Sequence, residues 1–137
     1  MKVLIGCESS GIVRDAFLKR GHDAMSCDLL ETSSPGPHYV GDVRDLLEPG
    51  KWDLFIVHPD CTFLANCAAW AYGDGPYHQK VKPGTLVGAA RRAAREDALN
   101  FVRQMRAAPV PPHYLRVWCP GFFYLVYPYL QCGEIVL

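Results

Sequence analysis

The stretch KVLIGCESSGIVRDAFLKRGHDAMSCD, residues 2–28, decides the fold. Its first residues, Lys2–Cys7, form a short apolar run that is typical of a buried parallel strand. Apolar side chains then recur at helical spacing over Ile12–Leu18, and Gly21 is placed to end a helix. Asp23–Leu30 predicts a second strand. This strand–helix–strand succession predicts a parallel sheet with a helix packed on it.

The rest of the chain continues the alternation. A third strand is predicted over His38–Val43 and a fourth, the most apolar, over Trp52–His58, with a brief helix near Asp45–Leu47 between them. The aromatic, Gly- and Pro-rich segment Phe63–Gly84 is interpreted as a loop or lid. Thr85–Ala108 is rich in Ala and keeps its apolar residues on one side, which predicts a long helix capped by Thr85. Together these elements predict an α/β domain with a mostly parallel sheet.

Length and composition indicate one domain. The chain has 137 residues, half of them hydrophobic, which suffices for one core, and its net charge of zero names no partner. We predict that the domain covers residues 1–112. Residues 113–137 hold one Arg and one Glu beside seven aromatic residues, and a fifth strand is predicted over His113–Trp118. This segment is either an aromatic edge of the same core or the product of a shifted reading frame.

The cysteines indicate a reducing compartment and no metal. Six cysteines are present, none with the CxxC spacing of a zinc knuckle, so no metal site is predicted. No signal peptide opens the chain, and no apolar stretch reaches the roughly 20 residues that a membrane span needs. We therefore expect a cytoplasmic protein with free thiols and no membrane contact. The oligomeric state is not predicted.

Charge is unevenly distributed along the chain. Residues 1–60 carry six Lys and Arg against ten Asp and Glu, whereas residues 80–106 carry seven against two. The basic segment suits a polyanion such as DNA, although a helix with a solvated basic face is the simpler explanation of the charges alone. If DNA binds, the candidate phosphate contacts are Lys80, Lys82, Arg91, Arg92 and Arg95.

The turn after the first strand favours one class of cofactor. Ligands of open parallel sheets bind outside the carboxyl ends of the strands. Here that turn, Glu8–Gly11, lacks the G-x-G-x-x-G pattern that cradles a pyrophosphate, and a glutamate there would repel phosphates. A cationic sulfonium suits it better, which favours S-adenosylmethionine over NAD. The alternative is an ordinary polar turn that caps a helix.

Two aspartates follow the next two predicted strands. Asp28 ends the second strand, where a carboxylate can accept hydrogen bonds from ribose hydroxyls. Asp42 ends the third strand, where it can accept one from an adenine amino group. Each alone is more often a loop or cap residue. Acidic residues at three successive strand ends, counting Glu8, favour a cofactor site.

The fourth strand is followed by a candidate nucleophile. In His58-Pro59-Asp60-Cys61-Thr62 the proline breaks the strand at the edge of the sheet, so that the Cys61 thiol projects toward a substrate. Cytosine is unreactive at C5 until a nucleophile adds at C6, and a thiolate is suited to that addition. The alternative is a small buried cysteine, the commonest fate of a free thiol.

Two motifs carry a resemblance to a known family. The chain reads CESSGIVRDAF over residues 7–17 and HPDCTFL over residues 58–64. It resembles short phage and bacterial DNA cytosine-5 methyltransferase-like proteins, which have C-E-x-S-G-x-x-R-D-A-F and H-P-P-C-T-Y-L at these places. The resemblance covers about residues 1–112. It implies a class I methyltransferase fold, a Rossmann-like three-layer sandwich truncated at the C-terminus.

The same resemblance implies roles for individual residues. Cys61 would be the nucleophile that adds to cytosine in DNA, and S-adenosylmethionine would be the methyl donor. Glu8–Gly11 would line the methionine moiety, Asp28 the ribose and Asp42 the adenine. The whole implied cofactor site consists of Cys7, Glu8, Ser9, Gly11, Asp28, Asp42, His58 and Pro59.

The chain departs from the family at places that matter for catalysis. Asp60 stands where the family element has its second proline, and a carboxylate beside a thiol disfavours the thiolate. No Glu-Asn element follows the predicted fifth strand to activate the ring, and no target-reading segment is present. We therefore expect either a weak cytosine methyltransferase or an inactive remnant that binds the cofactor or nothing. A nucleotide-dependent oxidoreductase is a weaker third reading.

Overall fold

The computed structural model describes residues 1–77, 80–110 and 113–115. Four strands form an all-parallel sheet in the order β3-β2-β1-β4, which confirms the predicted α/β class. A fifth strand pairs parallel to β4 on its outer side. The strands are β1 (Lys2–Gly6), β2 (Asp23–Asp28), β3 (His38–Val40), β4 (Leu54–Val57) and β5 (His113–Leu115).

Two α-helices and two 3-10 helical turns connect the strands. Helix α1 spans Ile12–Leu18, as predicted, and α2 spans Gly88–Arg106. The α2 helix begins three residues after the predicted cap Thr85, because the amide of Thr85 binds the carbonyl of Lys82 in a turn of its own. A left-handed φ of 57° at Gly88 then marks the change of direction into the helix.

The two 3-10 turns differ from the sequence predictions in position. The first spans Val43–Leu46, two residues before the predicted brief helix, because the Asp42 side chain accepts a hydrogen bond from the Arg44 amide and caps the turn there. The second, Asn66–Tyr72, is interrupted by non-helical backbone at Ala68 and lies inside the segment that the sequence predicts as a loop or lid. Its Ala-containing sequence, NCAAWAY, is the signal for helical structure that the aromatic and Gly-rich surroundings hide.

The sheet buries a separate apolar cluster on each face. On one face Val3, Ile5 and Ala24 pack against Phe17 and Leu18 of α1. On the other face the buried side chains of the strands pack with those at the C-terminal end of α2 and just beyond it. The fully or nearly buried members of this second cluster are Leu4, Cys27, Val43, Trp52, Phe55, Val57, Met105, Ala108 and Val110. Burial on both faces explains why the strands read as continuous apolar runs.

The chain forms two compact units. The sheet unit contains residues 1–59, 101–110 and 113–115 of the described chain, and the loop–helix unit contains residues 60–77 and 80–100. The predicted boundary after residue 112 falls just before β5, which pairs with the sheet. The remainder of the predicted fifth strand and the aromatic segment up to residue 137 lie outside the described residues.

Neither helix of the described chain meets the requirements for crossing a membrane, since none combines sufficient length with sufficient apolarity.

Candidate functional site

The parallel register brings the ends of the first four strands to one edge of the sheet. Gly6, the last residue of β1, lies beside Cys27 of β2 and Val57 of β4, and Asp28 lies beside Val40 of β3. Hence the predicted residues that follow these strands all leave the sheet at the same carboxyl edge. The strand order reverses between β1 and β4, which is where open parallel sheets bind ligands.

Backbone hydrogen bonds fix the first residues beyond the edge. The amide of Glu8 donates to the carbonyl of Cys27 at 3.1 Å, and the amide of His58 donates to the carbonyl of Gly6 at 3.0 Å. On the far side, the amide of Gly41 donates to the carbonyl of Asp28 at 2.9 Å. The backbone is therefore fixed at the start of each segment that carries a candidate residue.

In the first turn, the Glu8 side chain caps helix α1. Glu8 is 6% exposed, and its Oε1 accepts hydrogen bonds from the Val13 amide at 2.7 Å and the Ser10 hydroxyl at 3.1 Å. Its Oε2 accepts one from the Arg14 amide at 3.3 Å. The carboxylate thus satisfies amides that the helix itself leaves unpaired. These bonds fit the alternative of a polar turn that caps a helix, and Gly11 within the turn has a left-handed φ of 73°.

Arg14 is a buried hub of hydrogen bonds near the same edge, and the sequence patterns assign it no role. Its side chain is fully buried, and Nε donates to Asp15 at 2.8 Å. Nη1 donates to the hydroxyl of Ser26 at 3.1 Å, and Nη2 donates to the carbonyl of Ser34 at 2.9 Å. One guanidinium therefore ties α1 to β2 and to the loop that follows β2. The signal was present in the sequence as the Arg-Asp pair of the CESSGIVRDAF motif.

Two glycines leave room for this guanidinium. A Cβ atom at Gly11 would lie 2.3 Å from Nη2 of Arg14, and one at Gly36 would lie 2.8 Å from its Cζ. Both glycines also have a positive φ, 73° and 157°. The glycines are therefore required by the buried arginine as well as by the turns that contain them.

Asp28 accepts a single hydrogen bond from the described residues. It is half-buried, and Oδ1 accepts a hydrogen bond from the Leu30 amide at 3.0 Å. Within the described residues, its second oxygen has no hydrogen-bond partner. A carboxylate in this position, at the carboxyl end of a strand next to the central one, can accept hydrogen bonds from a ligand without losing its internal one.

Asp42, by contrast, is engaged by Arg44. Its carboxylate accepts hydrogen bonds from the Arg44 amide at 2.9 Å and from Nε at 2.8 Å, and Nη2 makes a further ion-pair contact. These hydrogen bonds hold the pKa of Asp42 below its usual value, against the effect of partial burial. The role predicted for Asp42 at an adenine stays a prediction, and in this structure the side chain caps a turn.

A buried thiol lies among the acids of this edge. Cys27, the residue before Asp28, is fully buried, and its Sγ lies 3.4 Å from the carbonyl oxygen of Gly41. Burial, followed by the charges of Asp28, Asp42 and Asp45, raises the pKa of Cys27 to about 11. This cysteine is therefore a neutral core residue at physiological pH and not a nucleophile.

His58 and Pro59 end the fourth strand as predicted. Pro59 is buried, and it stops the ladder two residues after Val57 because it has no amide hydrogen. The Nε2 atom of His58 is buried and has no hydrogen-bond partner within the described residues. An unsatisfied ring nitrogen at the carboxyl edge is a group that a ligand can satisfy.

The candidate nucleophile belongs to the loop–helix unit, in a segment that we name the thiol turn, Asp60–Ala65. The carbonyl of Cys61 accepts hydrogen bonds from the amides of Leu64 and Ala65, both at 3.0 Å. Asp60 Oδ1 accepts from the Thr62 amide at 3.0 Å and from its hydroxyl at 2.7 Å. The Cys61 thiol is free and half-buried. The thiol thus occupies a hydrogen-bonded turn, and its predicted role as nucleophile is compatible with its accessibility.

The basic residues predicted to contact DNA fall into two groups. Lys80 and Lys82 are exposed, Arg92 is exposed while bonded to the Tyr72 carbonyl at 2.6 Å, and Arg95 is half-buried. For these four, a contact with phosphate stays a prediction. Arg91 differs, because it is 5% exposed and its Nη2 donates to the carbonyl of Thr62 at 3.0 Å. Its burial favours an internal role over a direct phosphate contact.

A metal centre finds no support in residues 1–77, 80–110 and 113–115, where no three His, Cys, Asp or Glu side chains converge as ligands would.

Comparison with known proteins gave no match: no family model, no curated protein and no solved structure resembles the chain closely enough to identify it. The resemblance to cytosine-5 methyltransferases therefore depends on the two motifs quoted from the sequence.

Proposed function

We propose that the protein is an S-adenosylmethionine-binding domain of the class I methyltransferase type, with a three-layer sandwich around its parallel sheet. The observation that carries the proposal is Asp28, a half-buried carboxylate at the carboxyl end of β2 with one oxygen that the described residues leave unbonded. It lies on the strand next to β1, where the order of the sheet reverses. Ribose hydroxyls are the donors that such a carboxylate accepts.

The remaining residues of the edge fit a cofactor without phosphates. Glu8 lies beside the turn Ser9–Gly11, and a carboxylate there opposes a pyrophosphate and suits a sulfonium cation. Cys7, with a φ of 57°, turns the chain sharply out of β1. Within the described residues the buried Nε2 of His58 has no hydrogen-bond partner, so it is available to a ligand at the same edge. When bound, S-adenosylmethionine supplies an electrophilic methyl group.

We further propose that Cys61 is the nucleophile for methylation of cytosine at C5 in DNA. Its thiolate adds to C6 of the ring, forming an S–C6 bond, and C5 becomes nucleophilic. After methylation, loss of the C5 proton to a base expels the thiolate and restores the ring. For this chemistry the target cytosine must be flipped out of the DNA helix. Lys80, Lys82, Arg92 and Arg95 are the candidates for contacts with the DNA backbone.

A second candidate function is cofactor binding without turnover. It is favoured by the engagement of both Glu8 and Asp42 with partners inside the chain. It is favoured also by the sequence after β5, which contains no Glu-Asn pair to protonate the cytosine ring. General acid assistance of this kind typically contributes about 100- to 10,000-fold, so a chain without it is a slow catalyst.

Cofactor binding is tested by titration calorimetry with S-adenosylmethionine, S-adenosylhomocysteine and NAD. Asp28→Asn is expected to weaken binding of the first two by about 1–3 kcal/mol, the scale for hydrogen bonds to a charged group. Asp23→Asn is the matched control, because Asp23 begins the same strand at the opposite edge and should bind as wild type. Equal binding by wild type and Asp28→Asn, or preferential binding of NAD, would overturn the proposal.

Turnover is tested with radiolabelled S-adenosylmethionine and cytosine-rich DNA. We expect slow transfer, together with a covalent adduct through Cys61 with DNA that contains 5-fluorocytosine, because fluorine blocks the elimination that follows methyl transfer. Cys61→Ser should form no adduct, whereas Cys27→Ala, which removes a buried thiol, should form it as wild type does. Cofactor binding with neither transfer nor adduct would establish the second candidate.

A further inference from the structure

Arg91 occupies an unusual position in the loop–helix unit. It is the fourth residue of α2, and its side chain turns inward until only 5% of the residue is exposed. Its Nη2 donates to the carbonyl of Thr62 at 3.0 Å, and its Nη1 donates to the carbonyl of Leu86 at 3.5 Å. The guanidinium therefore joins the start of α2 to the thiol turn, 29 residues earlier in the chain.

Two aromatic rings hold this guanidinium. Its carbon lies 5.3 Å from the centre of the Phe63 ring and 4.9 Å from that of the Tyr72 ring. The Tyr72 hydroxyl donates to the carbonyl of Phe63 at 2.7 Å, so the segments that carry the two rings are themselves bonded. Arg95 lies over Tyr72 at 5.1 Å as well. Cation–π contacts of this kind strengthen when water is excluded.

The burial of Arg91 is costly and incompletely compensated. Within the described residues no carboxylate pairs with it, and its Nε atom is buried without a hydrogen-bond partner. An arginine has a long, flexible side chain that would ordinarily place its charge in water. The contacts that compensate this burial are the bond to Thr62, the longer one to Leu86 and the two aromatic rings.

The bond to Thr62 completes the constraints on the candidate nucleophile. On the N-terminal side of Cys61, the Asp60 carboxylate binds the amide and hydroxyl of Thr62. On the C-terminal side, the Cys61 carbonyl accepts from the amides of Leu64 and Ala65. These bonds are local. The Tyr72 hydroxyl joins the Phe63 carbonyl to the end of the 3-10 turn, and Arg91 joins the Thr62 carbonyl to α2.

We propose that Arg91 is a positioning residue, which holds the thiol turn through the Thr62 carbonyl and so aims the Cys61 thiol at its substrate. This inference rests on the proposed role of Cys61 as nucleophile. It replaces the direct phosphate contact that the sequence predicts for Arg91. Loss of Arg91 should therefore lower the rate at which bound DNA reacts and leave the affinity for DNA unchanged.

The experiment measures single-turnover adduct formation with 5-fluorocytosine DNA and S-adenosylmethionine as the DNA concentration is raised. Arg91→Met is expected to reduce the maximal rate on the order of 10- to 100-fold, as misplacement of a reacting group does, with an unchanged half-saturating DNA concentration. Arg106→Met is the matched control, because it removes an exposed arginine from the last turn of the same helix. It should leave both the maximal rate and the half-saturating DNA concentration unchanged.

Two further measurements separate positioning from a loss of folding. Arg91→Lys keeps the charge and most of the length, and it should show the same loss because an ammonium lacks the flat fork of a guanidinium. Millimolar guanidinium chloride should partly restore the maximal rate of Arg91→Met, whereas sodium chloride at equal concentration should not. Full activity of Arg91→Lys, or an absence of rescue, would overturn the positioning role.

The outcomes distinguish this inference from the proposed function. Arg91→Met with a raised half-saturating concentration and a normal maximal rate would show that Arg91 contacts phosphate, and it would overturn the inference alone. A wild type that forms no adduct would overturn the proposed nucleophile. In that case, hydrogen exchange at the Leu64 and Ala65 amides decides whether Arg91 holds the turn: faster exchange in Arg91→Met, reversed by guanidinium, supports it, and unchanged exchange refutes it.

Discussion

The carboxylate of Glu8 accepts a 2.7 Å hydrogen bond from the backbone amide of Val13, in the first turn of α1. Glu8 precedes the helix by four residues, so the chain loops back to place the acid over the helix terminus. A carboxylate at that position is stabilised by the partial positive charge of the terminus as well as by the bond itself. The acid that the sequence offers as a ligand for a sulfonium thus also holds the turn in shape.

We predict that Glu8→Ala lowers the free energy of unfolding by about 1–2 kcal/mol, the scale for a lost helix cap. Urea denaturation followed by circular dichroism measures it. Ser10→Ala, which removes only a hydroxyl bonded to the same carboxylate, should cost less. If Glu8→Ala unfolds like wild type yet no longer binds S-adenosylmethionine, the side chain serves the ligand and not the helix.

We predict a larger loss for Arg14→Met. The change removes every hydrogen bond of a fully buried guanidinium and leaves the partners in α1, β2 and the following loop unsatisfied. The expected destabilisation is about 3 kcal/mol, the scale for breaking a buried ion pair. Arg20→Met, at an exposed site with one bond to the Ala16 carbonyl, should change stability by less than about 0.5 kcal/mol. Indistinguishable urea midpoints for the two variants would contradict this account of the hub.

Stability should fall in acid through two carboxylates. Hydrogen bonds from Arg14 and Ser34 lower the pKa of Asp15, and those from Arg44 lower the pKa of Asp42, both from an ordinary value of 3.8. The unfolded chain therefore binds protons on these groups at higher pH than the folded chain. Their stabilisation is complete above the ordinary value and is lost as the pH falls through the lowered ones.

The measurement for this acid dependence is the melting temperature between about pH 5 and pH 2. Asp15→Asn and Asp42→Asn should each melt at a lower temperature than wild type at neutral pH and lose less stability on acidification. Asp23→Asn, which removes an exposed acid at the amino edge of the sheet, serves as the control. Parallel curves for wild type and both variants would show that neither ion pair contributes.

The Cys27 thiol should make the folded protein less stable at alkaline pH, whereas the two carboxylates make it less stable in acid. Its pKa is raised from 9.0 to about 11, first by burial and then by Asp28, Asp42 and Asp45. The unfolded chain loses this proton first, so the stability due to Cys27 is complete below about pH 9 and declines as the pH approaches 11.

Native protein should leave Cys27 unlabelled by a thiol reagent at pH 7 while Cys61 is labelled. Cys27→Ala should lack this part of the alkaline decline, and rapid labelling of Cys27 in folded protein would refute the assignment.

The sequence predicted the sheet because its strands are buried on both faces, and such strands are continuous apolar runs. Lys2–Gly6 and Leu54–Val57 were identified within one or two residues for this reason. The start of α2 was placed too early because Thr85 has the residue type of a cap but donates its amide to a separate turn. The 3-10 turn Asn66–Tyr72 was missed because short helical turns have no apolar period to detect.

The sequence predicts where the candidate site residues lie better than it predicts which groups they bond to. Parallel strands necessarily deliver their following residues to one edge, so the placement of Glu8, Asp28 and Asp42 could be inferred from strand ends alone. What the sequence did not reveal is that Glu8 bonds to the Val13 amide and Asp42 to Arg44. Side-chain hydrogen bonds over such short distances depend on rotamers, which no residue pattern specifies. The inward turn of Arg91 is of the same kind.

Strand β1 is hydrogen-bonded on both sides, to β2 and to β4, and its residues Val3–Gly6 are buried. Its amides should be among the slowest in the chain to exchange with deuterium, since their exposure requires opening of the whole sheet. The turn after Gly6 therefore begins at a strand whose hydrogen bonds we expect to open rarely. A ligand that binds at that edge would contact backbone that is already ordered. Its binding free energy would therefore include little penalty for ordering the protein.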